Sequence, residues 1–264
     1  MGVGVGMFGA ISPVRLRPEP SRRGQCLGSL RSILSGPVLP GATRSRRALL
    51  SLCCVGLLAG NAGAEPVAFA AEHWRVEAED AGARVALRGR EAEIDTPKGL
   101  TLWLARRLNG PVAIDFEAMA VAAGGANDRV SDLNAFWMAT DPAQPDGAPP
   151  GRRSGRFEDY DTLKTYYLGI GGNGNTTTRM RRYVGRAGER PLLPQHDRAD
   201  AAALLVPNRW TRIRLIADGE RIAVERDGAT LFTMTDPAPY RQGWFALRTT
   251  WSHLRIRNLR ITRP

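Results

Sequence analysis

The feature that most constrains this chain is a series of short apolar alternations broken by turn signals. Trp210-Thr-Arg-Ile-Arg-Leu-Ile-Ala217 is apolar at 213 and 215, a period of two. Side chains two apart lie on one face of a strand, so this pattern describes a half-buried β-strand. Residues 221–226 continue it, and Asp227-Gly228 then leads into residues 230–234. Asp-Gly between two such runs is a hairpin signal. Residues 100–105, 112–121, 132–139, 165–171, 177–183, 243–248 and 254–261 read in the same way. No window of 12 or more residues has a helical apolar period, and the one helix the sequence allows is a short one near residues 159–164. About twelve strands in 200 residues predict a single all-β domain, a sandwich or jelly roll of two antiparallel sheets. The 29 glycines and 18 prolines suit a fold so rich in turns.

That domain is expected to span 65–264. Before it, Arg44-Ser-Arg-Arg47 precedes an uncharged apolar run, 48–59, and then Asn61-Ala-Gly-Ala64. A basic region, an apolar region and a small-residue exit predict a signal peptide over 44–64, with cleavage after Ala64 or, alternatively, after Ala70. The run is too short for a permanent span. Arg46-Arg47 fits either twin-arginine or ordinary secretory export. Residues 1–43 read as an extended or non-native leader. The protein is therefore expected in the periplasm or secreted.

The leader changes the charge argument. The full chain has formal charge +11, which taken alone suggests a polyanion partner. Residues 1–64 hold eight arginines and one acid, so 65–264 keeps 29 basic and 25 acidic residues, a net +4. All three cysteines, 26, 53 and 54, also lie in the leader. The mature domain thus argues against nucleic acid, disulfides and cysteine-bound metal. A structural calcium is compatible with such folds, yet no Asp-x-Asp-x-Asp-Gly pattern and no His-x-x-x-His pair occurs. No cofactor is expected.

The last 55 residues run strand, Asp227-Gly228 hairpin, strand, Pro239-Tyr240, Gly243-Trp-Phe-Ala-Leu-Arg248, closing strand. This order resembles the C-terminal half of concanavalin A-like lectin/glucanase jelly rolls, in which a final strand returns beside the first. Ser131-Asp-Leu-Asn-Ala-Phe-Trp-Met-Ala-Thr-Asp141 and Tyr166-Tyr-Leu-Gly-Ile-Gly-Gly-Asn-Gly-Asn-Thr-Thr-Thr-Arg179, with Arg182-Tyr183, resemble the secreted bacterial proteins related to YesU. The resemblance covers roughly 73–264. It implies a role near polysaccharide degradation, with an acidic or rhamnose-containing oligosaccharide as ligand, and it supplies no catalytic residues.

The residues suit such a ligand, because sugars are held by aromatic faces and planar hydrogen-bonding groups, and carboxylated sugars by arginine forks. Asn134, Trp137, Tyr167, Asn173, Asn175, Arg179, Arg181 and Arg182 are the candidates in the middle of the chain, with Arg248 and Trp251 near its end. Strand periodicity puts Thr177, Arg179, Arg181 and Tyr183 on one face and Thr178, Met180 and Arg182 on the other. These arginines either meet a carboxylate ligand or pair with Asp132, Asp141, Glu158, Asp159 or Asp161. Asn173 and Asn175 either face a ligand or hold their loop together. His253, Tyr166 and Tyr183 are the candidate proton-transfer groups. Trp74, Trp103, Trp210 and Phe245 are expected in the core. Hydrolysis normally needs two carboxyl groups flanking the scissile bond. Glu91-Ala-Glu-Ile-Asp95 does not match the laminarinase spacing, and Glu158-Asp-Tyr-Asp161 fits an exposed loop. Three readings stay open: a monomeric hydrolase or lyase, a non-catalytic glycan-binding module, and a structural envelope protein.

Overall fold

The computed structural model describes residues 63–145 and 149–264. The leader, the signal peptide and the arginine-pair motif lie outside the described residues, apart from Gly63 and Ala64.

The first strands are β1 (Glu65–Pro66), β2 (Trp74–Ala78), β3 (Arg84–Arg88), β4 (Glu91–Leu104), β5 (Leu108–Asn109) and β6 (Val112–Ala120). The middle strands are β7 (Leu133–Thr140), β8 (Lys164–Gly171), β9 (Thr177–Val184) and β10 (Asp197–Arg198). The chain closes with β11 (Thr211–Asp218), β12 (Arg221–Arg226), β13 (Ala229–Thr235) and β14 (Gln242–Thr262). All pairings are antiparallel. The expected Asp-Gly hairpin joins β12 to β13, with Asp227 at φ 51° and Gly228 at φ 84°, the positive values that a type I′ turn needs.

Two long strands build the sandwich. The N-terminal half of β14 pairs with β7, and its C-terminal half pairs with β6. Along the same length β14 also pairs with β4, which meets β2 at one end and β3 at the other. The first sheet is therefore β10-β9-β8-β7-β14-β4-β2, and the second is β13-β12-β11-β6-β14-β4-β3. Between them lies the main core, which joins Leu102, Trp137, Tyr166, Leu168 and Met180 to Ile114, Phe116, Ile213, Leu215, Val224 and Phe232. Residues 260–261 also pair with β1, so the final strand does return beside the first.

Residues 243–248 and 254–261 were expected as separate strands. They form one strand of 21 residues. The corner between the sheets falls at a bulge between Thr250 and Ser252, where Trp251 turns to φ 45°. Thr249 and Ser252 satisfy each other's hydroxyls across that corner. The helix expected near 159–164 is a 3-10 turn at Phe157–Tyr160.

A second apolar cluster covers the outer face of the first sheet. It holds Trp103, Phe136, Tyr160, Leu163, Tyr167, Tyr183 and Trp244. A strap, residues 149–163, lies across this face. Its anchor is Glu77, whose buried carboxylate accepts from Arg75 Nη2 (2.9 Å), Trp103 Nε1 (2.9 Å), the Tyr160 hydroxyl (2.8 Å) and the Arg153 N–H (3.0 Å). Trp74 and Phe245 lie in the main core as expected, and Trp103 belongs to the strap cluster. Trp210 departs from expectation. It is half-buried, with Arg257 stacked 3.9 Å from its ring centre.

Candidate functional site

Strand registry lines up polar residues across the first sheet. Asp197, Arg179, Gly169, Asn134, Arg248, Thr101 and Glu77 stand directly opposite one another on seven successive strands. Two residues along each strand, the next row is Arg181, Tyr167, Phe136, Ala246, Trp103 and Arg75. Period-two geometry puts both rows on the same face. The strap covers the aromatic row and the Arg248 end of the polar row.

Where the strap ends, a groove of about 400 Å³ opens above β8 and β9. Tyr167, Gly169, Thr177, Arg179 and Arg181 face it, Asp132, Asn173 and Thr250 close one end, and Phe157, Glu158 and Arg190 form the strap side. At Gly169 the space a side chain would take is filled by its neighbours. A Cβ there would lie 2.5 Å from the Tyr167 hydroxyl and 3.0 Å from Asn134 Oδ1. A glycine inside a strand often marks a close approach of this kind. Asn134 is buried, and its Oδ1 has no hydrogen-bond partner among the described residues.

The groove arginines differ in their pairing. Arg179 forms a two-pronged pair with Asp197 (2.8 and 3.1 Å). Arg190 pairs with Asp161 and stacks 4.5 Å from the Phe157 ring. Arg181 donates to the Arg190 carbonyl, and no carboxylate lies within ion-pair distance of it among the described residues. At the closed end, burial raises the Asp132 carboxyl above the usual aspartate range, although the Ser131 hydroxyl and the charges of Arg248 and Arg129 oppose this. Burial also pushes the Tyr167 phenol up, so it stays protonated.

Of the residues expected at a site, Asn173, Arg179 and Arg181 line the groove, and Asn134 is buried beside groove-lining Gly169. The predicted Thr177, Arg179, Arg181 and Tyr183 face is found, with Tyr183 under the strap and the other three open. Asn175 holds its loop, donating to the Leu205 carbonyl (3.0 Å) and accepting from the Leu205 N–H (2.9 Å). Trp251 is 43% exposed next to groove-lining Thr250, with Arg129 stacked 4.0 Å from its ring centre.

The structure does not bring the other candidates to the groove. Trp137 and Tyr166 point between the sheets, because 137 and 166 have the opposite parity to groove-facing 134 and 167. Burial and a hydrogen bond to Asp236 (2.7 Å) raise the Tyr166 phenol. Arg182 shares that inward parity and pairs with Asp236 (2.7 Å). Arg248 is fully buried under the strap, where it donates to Thr101 Oγ1 and the Gly155 carbonyl and faces the Tyr160 and Phe157 rings. His253 lies past the corner, on the outer face of the second sheet. Its ring nitrogens bind Asp128 Oδ1 (2.8 Å) and Glu93 Oε1 (2.9 Å).

Tyr167, also a candidate, lines the groove, whereas sequence reasoning missed Asp132, Phe157, Glu158 and Arg190 as site residues. It also missed Gly169, although a lone glycine in the apolar run 166–170 was a usable signal. Among the described residues, no cluster of three or more His, Cys, Asp or Glu side chains is arranged to hold a metal. No helix among them is long and apolar enough to cross a membrane.

This architecture is a jelly-roll sandwich of the galectin-like kind. It is similar to a protein of unknown function with a galectin-like fold from Bacillus subtilis, with a TM-score of 0.53 and 12% identity over 73% of this chain and 90% of that one. It is also similar to the Ca2+/Man-bound form of the VIP36 exoplasmic/lumenal domain, with a TM-score of 0.50 and 9% identity over 78% of this chain and 91% of that one. The chain belongs to the DUF6250 family, a domain of unknown function, whose family model matches residues 94–259. No curated protein matches the sequence.

Proposed function

We propose that this protein is exported and that its groove binds an acidic or rhamnose-containing oligosaccharide. The observation that carries the proposal is Arg181, a groove-lining cation with no carboxylate within ion-pair distance among the described residues. A ligand carboxylate would give Arg181 a charge-assisted pair. Phe157 and Tyr167 provide aromatic surface for the apolar face of a sugar. Arg181 favours a uronic acid over a neutral sugar. Trp251 with Arg129 extends the surface beyond Thr250 for a longer chain. The groove is built within a single chain and therefore works in a monomer. Two further observations support the reading: the likeness to the Ca2+/Man-bound VIP36 domain, and the resemblance to the YesU-related secreted proteins.

The test is calorimetric titration of the full chain with oligogalacturonates and with their methyl-esterified counterparts. Saturable binding of the free acids that weakens at least tenfold on esterification supports the proposal. Equal binding of both, or of neither, refutes it.

A further inference from the structure

We propose that the groove cleaves its glycan by hydrolysis, with Asp132 donating a proton to the glycosidic oxygen and Glu158 accepting one from the attacking water. This rests on the glycan-binding reading above. It goes further by choosing among the hydrolase, the lyase and the non-catalytic module.

The two carboxyl groups line one groove from different elements. Asp132 stands just before β7, and Glu158 stands on the 3-10 turn of the strap. Their environments differ, as acid and base roles require. Asp132 is half-buried, and its carboxyl accepts the Ser131 hydroxyl. Burial favours its protonated form. Glu158 is exposed and presents a solvated carboxylate near the Arg190 guanidinium.

Elimination fits less well. A lyase removes the proton beside the carboxylate with a basic side chain. No histidine lines the groove among the described residues, and Tyr167 is held as a protonated phenol by burial. In the hydrolytic step the C1–O bond breaks, and its electron pair goes to the leaving oxygen, which takes the Asp132 proton. Water oxygen bonds to C1, and the proton it loses passes to Glu158. The products are two shorter sugars, and no double bond forms.

The test incubates the full chain with oligogalacturonates and rhamnogalacturonan oligosaccharides. It follows new reducing ends, ultraviolet absorbance of unsaturated product, and binding by calorimetry. The expected result is reducing ends without unsaturation. Asp132→Asn and Glu158→Gln should each lower kcat by about 100-fold or more, with affinity held within a few fold. Asn suits the φ of 58° at position 132, and Glu158 is exposed, so both variants should fold. The alkaline limb of the wild-type pH–rate profile should lie above the usual aspartate range and disappear in Asp132→Asn. Unsaturated product, or binding without cleavage, would overturn the inference and leave the glycan-binding reading standing. Failure to bind any of these sugars would refute both.

Discussion

Asn134 and Gly169 face each other across β7 and β8, and a Cβ at 169 would lie 3.0 Å from the Asn134 Oδ1. The missing side chain makes room for the Tyr167 hydroxyl, which lines the groove. Gly169→Ala should therefore weaken oligogalacturonate binding by tenfold or more, because the new methyl group displaces the Tyr167 hydroxyl from its place in the groove wall. Destabilisation should stay near the ~1–3 kcal/mol of small-to-large changes. Calorimetry beside a thermal melt separates the two effects. Unchanged affinity in a folded variant would mean that the ligand does not touch Tyr167.

The strap hangs on Glu77. Glu77→Ala leaves Arg75, Trp103, Tyr160 and the Arg153 N–H without their shared acceptor. Removing one partner of a buried charged network costs about 3–5 kcal/mol. The expected outcome is that loss in denaturant melts, together with faster proteolysis within 149–163. Loss of stability without faster strap cleavage would show that Glu77 supports the sheet but does not anchor the strap.

His253 is expected to stabilise the domain in a limited pH window. Burial alone would lower its pKa, but its bonds to Asp128 and Glu93 outweigh burial and raise it above 6.5. Glu93 is held below 4.5, chiefly by His253, and Asp128 below 3.8, chiefly by the Gly125 N–H. A raised histidine stabilises fully below its unfolded pKa, and the effect is lost as pH rises through the folded value. The depressed carboxylates stabilise above their unfolded values and lose the effect as pH falls through the folded ones. His253→Gln should therefore lower Tm most between about pH 4.5 and 6.5, with the deficit shrinking above. A deficit independent of pH would contradict the ion-pair account.

The N-terminal boundary carries a stability cost. Phe69 is fully buried, stacked 5.1 Å from Trp74, and its N–H donates to the Gly89 carbonyl. Cleavage after Ala70 would remove it along with β1, whereas cleavage after Ala64 keeps both. Phe69→Ala should cost about 3–5 kcal/mol. N-terminal sequencing of exported protein should read Glu65-Pro66. A start at Ala71 would show that these contacts are dispensable.

Much of the fold was legible in the sequence because strands announce themselves locally. The alternation at 210–217, the Asp227-Gly228 turn and the face shared by Arg179 and Arg181 all follow from period two. The site was less legible because it depends on parity relative to a distant strap. Tyr166 and Tyr167 are neighbours in sequence, yet one points into the core and the other toward the groove. Arg248 and His253 are five residues apart, and the corner at Trp251 sends them to faces of different sheets. Asp132 and Glu158 belong to separate segments, and only the fold of the strap sets them in one groove.

The most direct test of the account compares wild type with Arg181→Met, titrated with an oligogalacturonate and with its methyl ester. Met keeps much of the side-chain length and removes the charge. A charge-assisted hydrogen bond is worth about 1.5–3 kcal/mol. The account predicts that the wild type prefers the free acid by tenfold or more, and that the variant binds both ligands with the weaker affinity. Retention of the full preference by a folded Arg181→Met would contradict it.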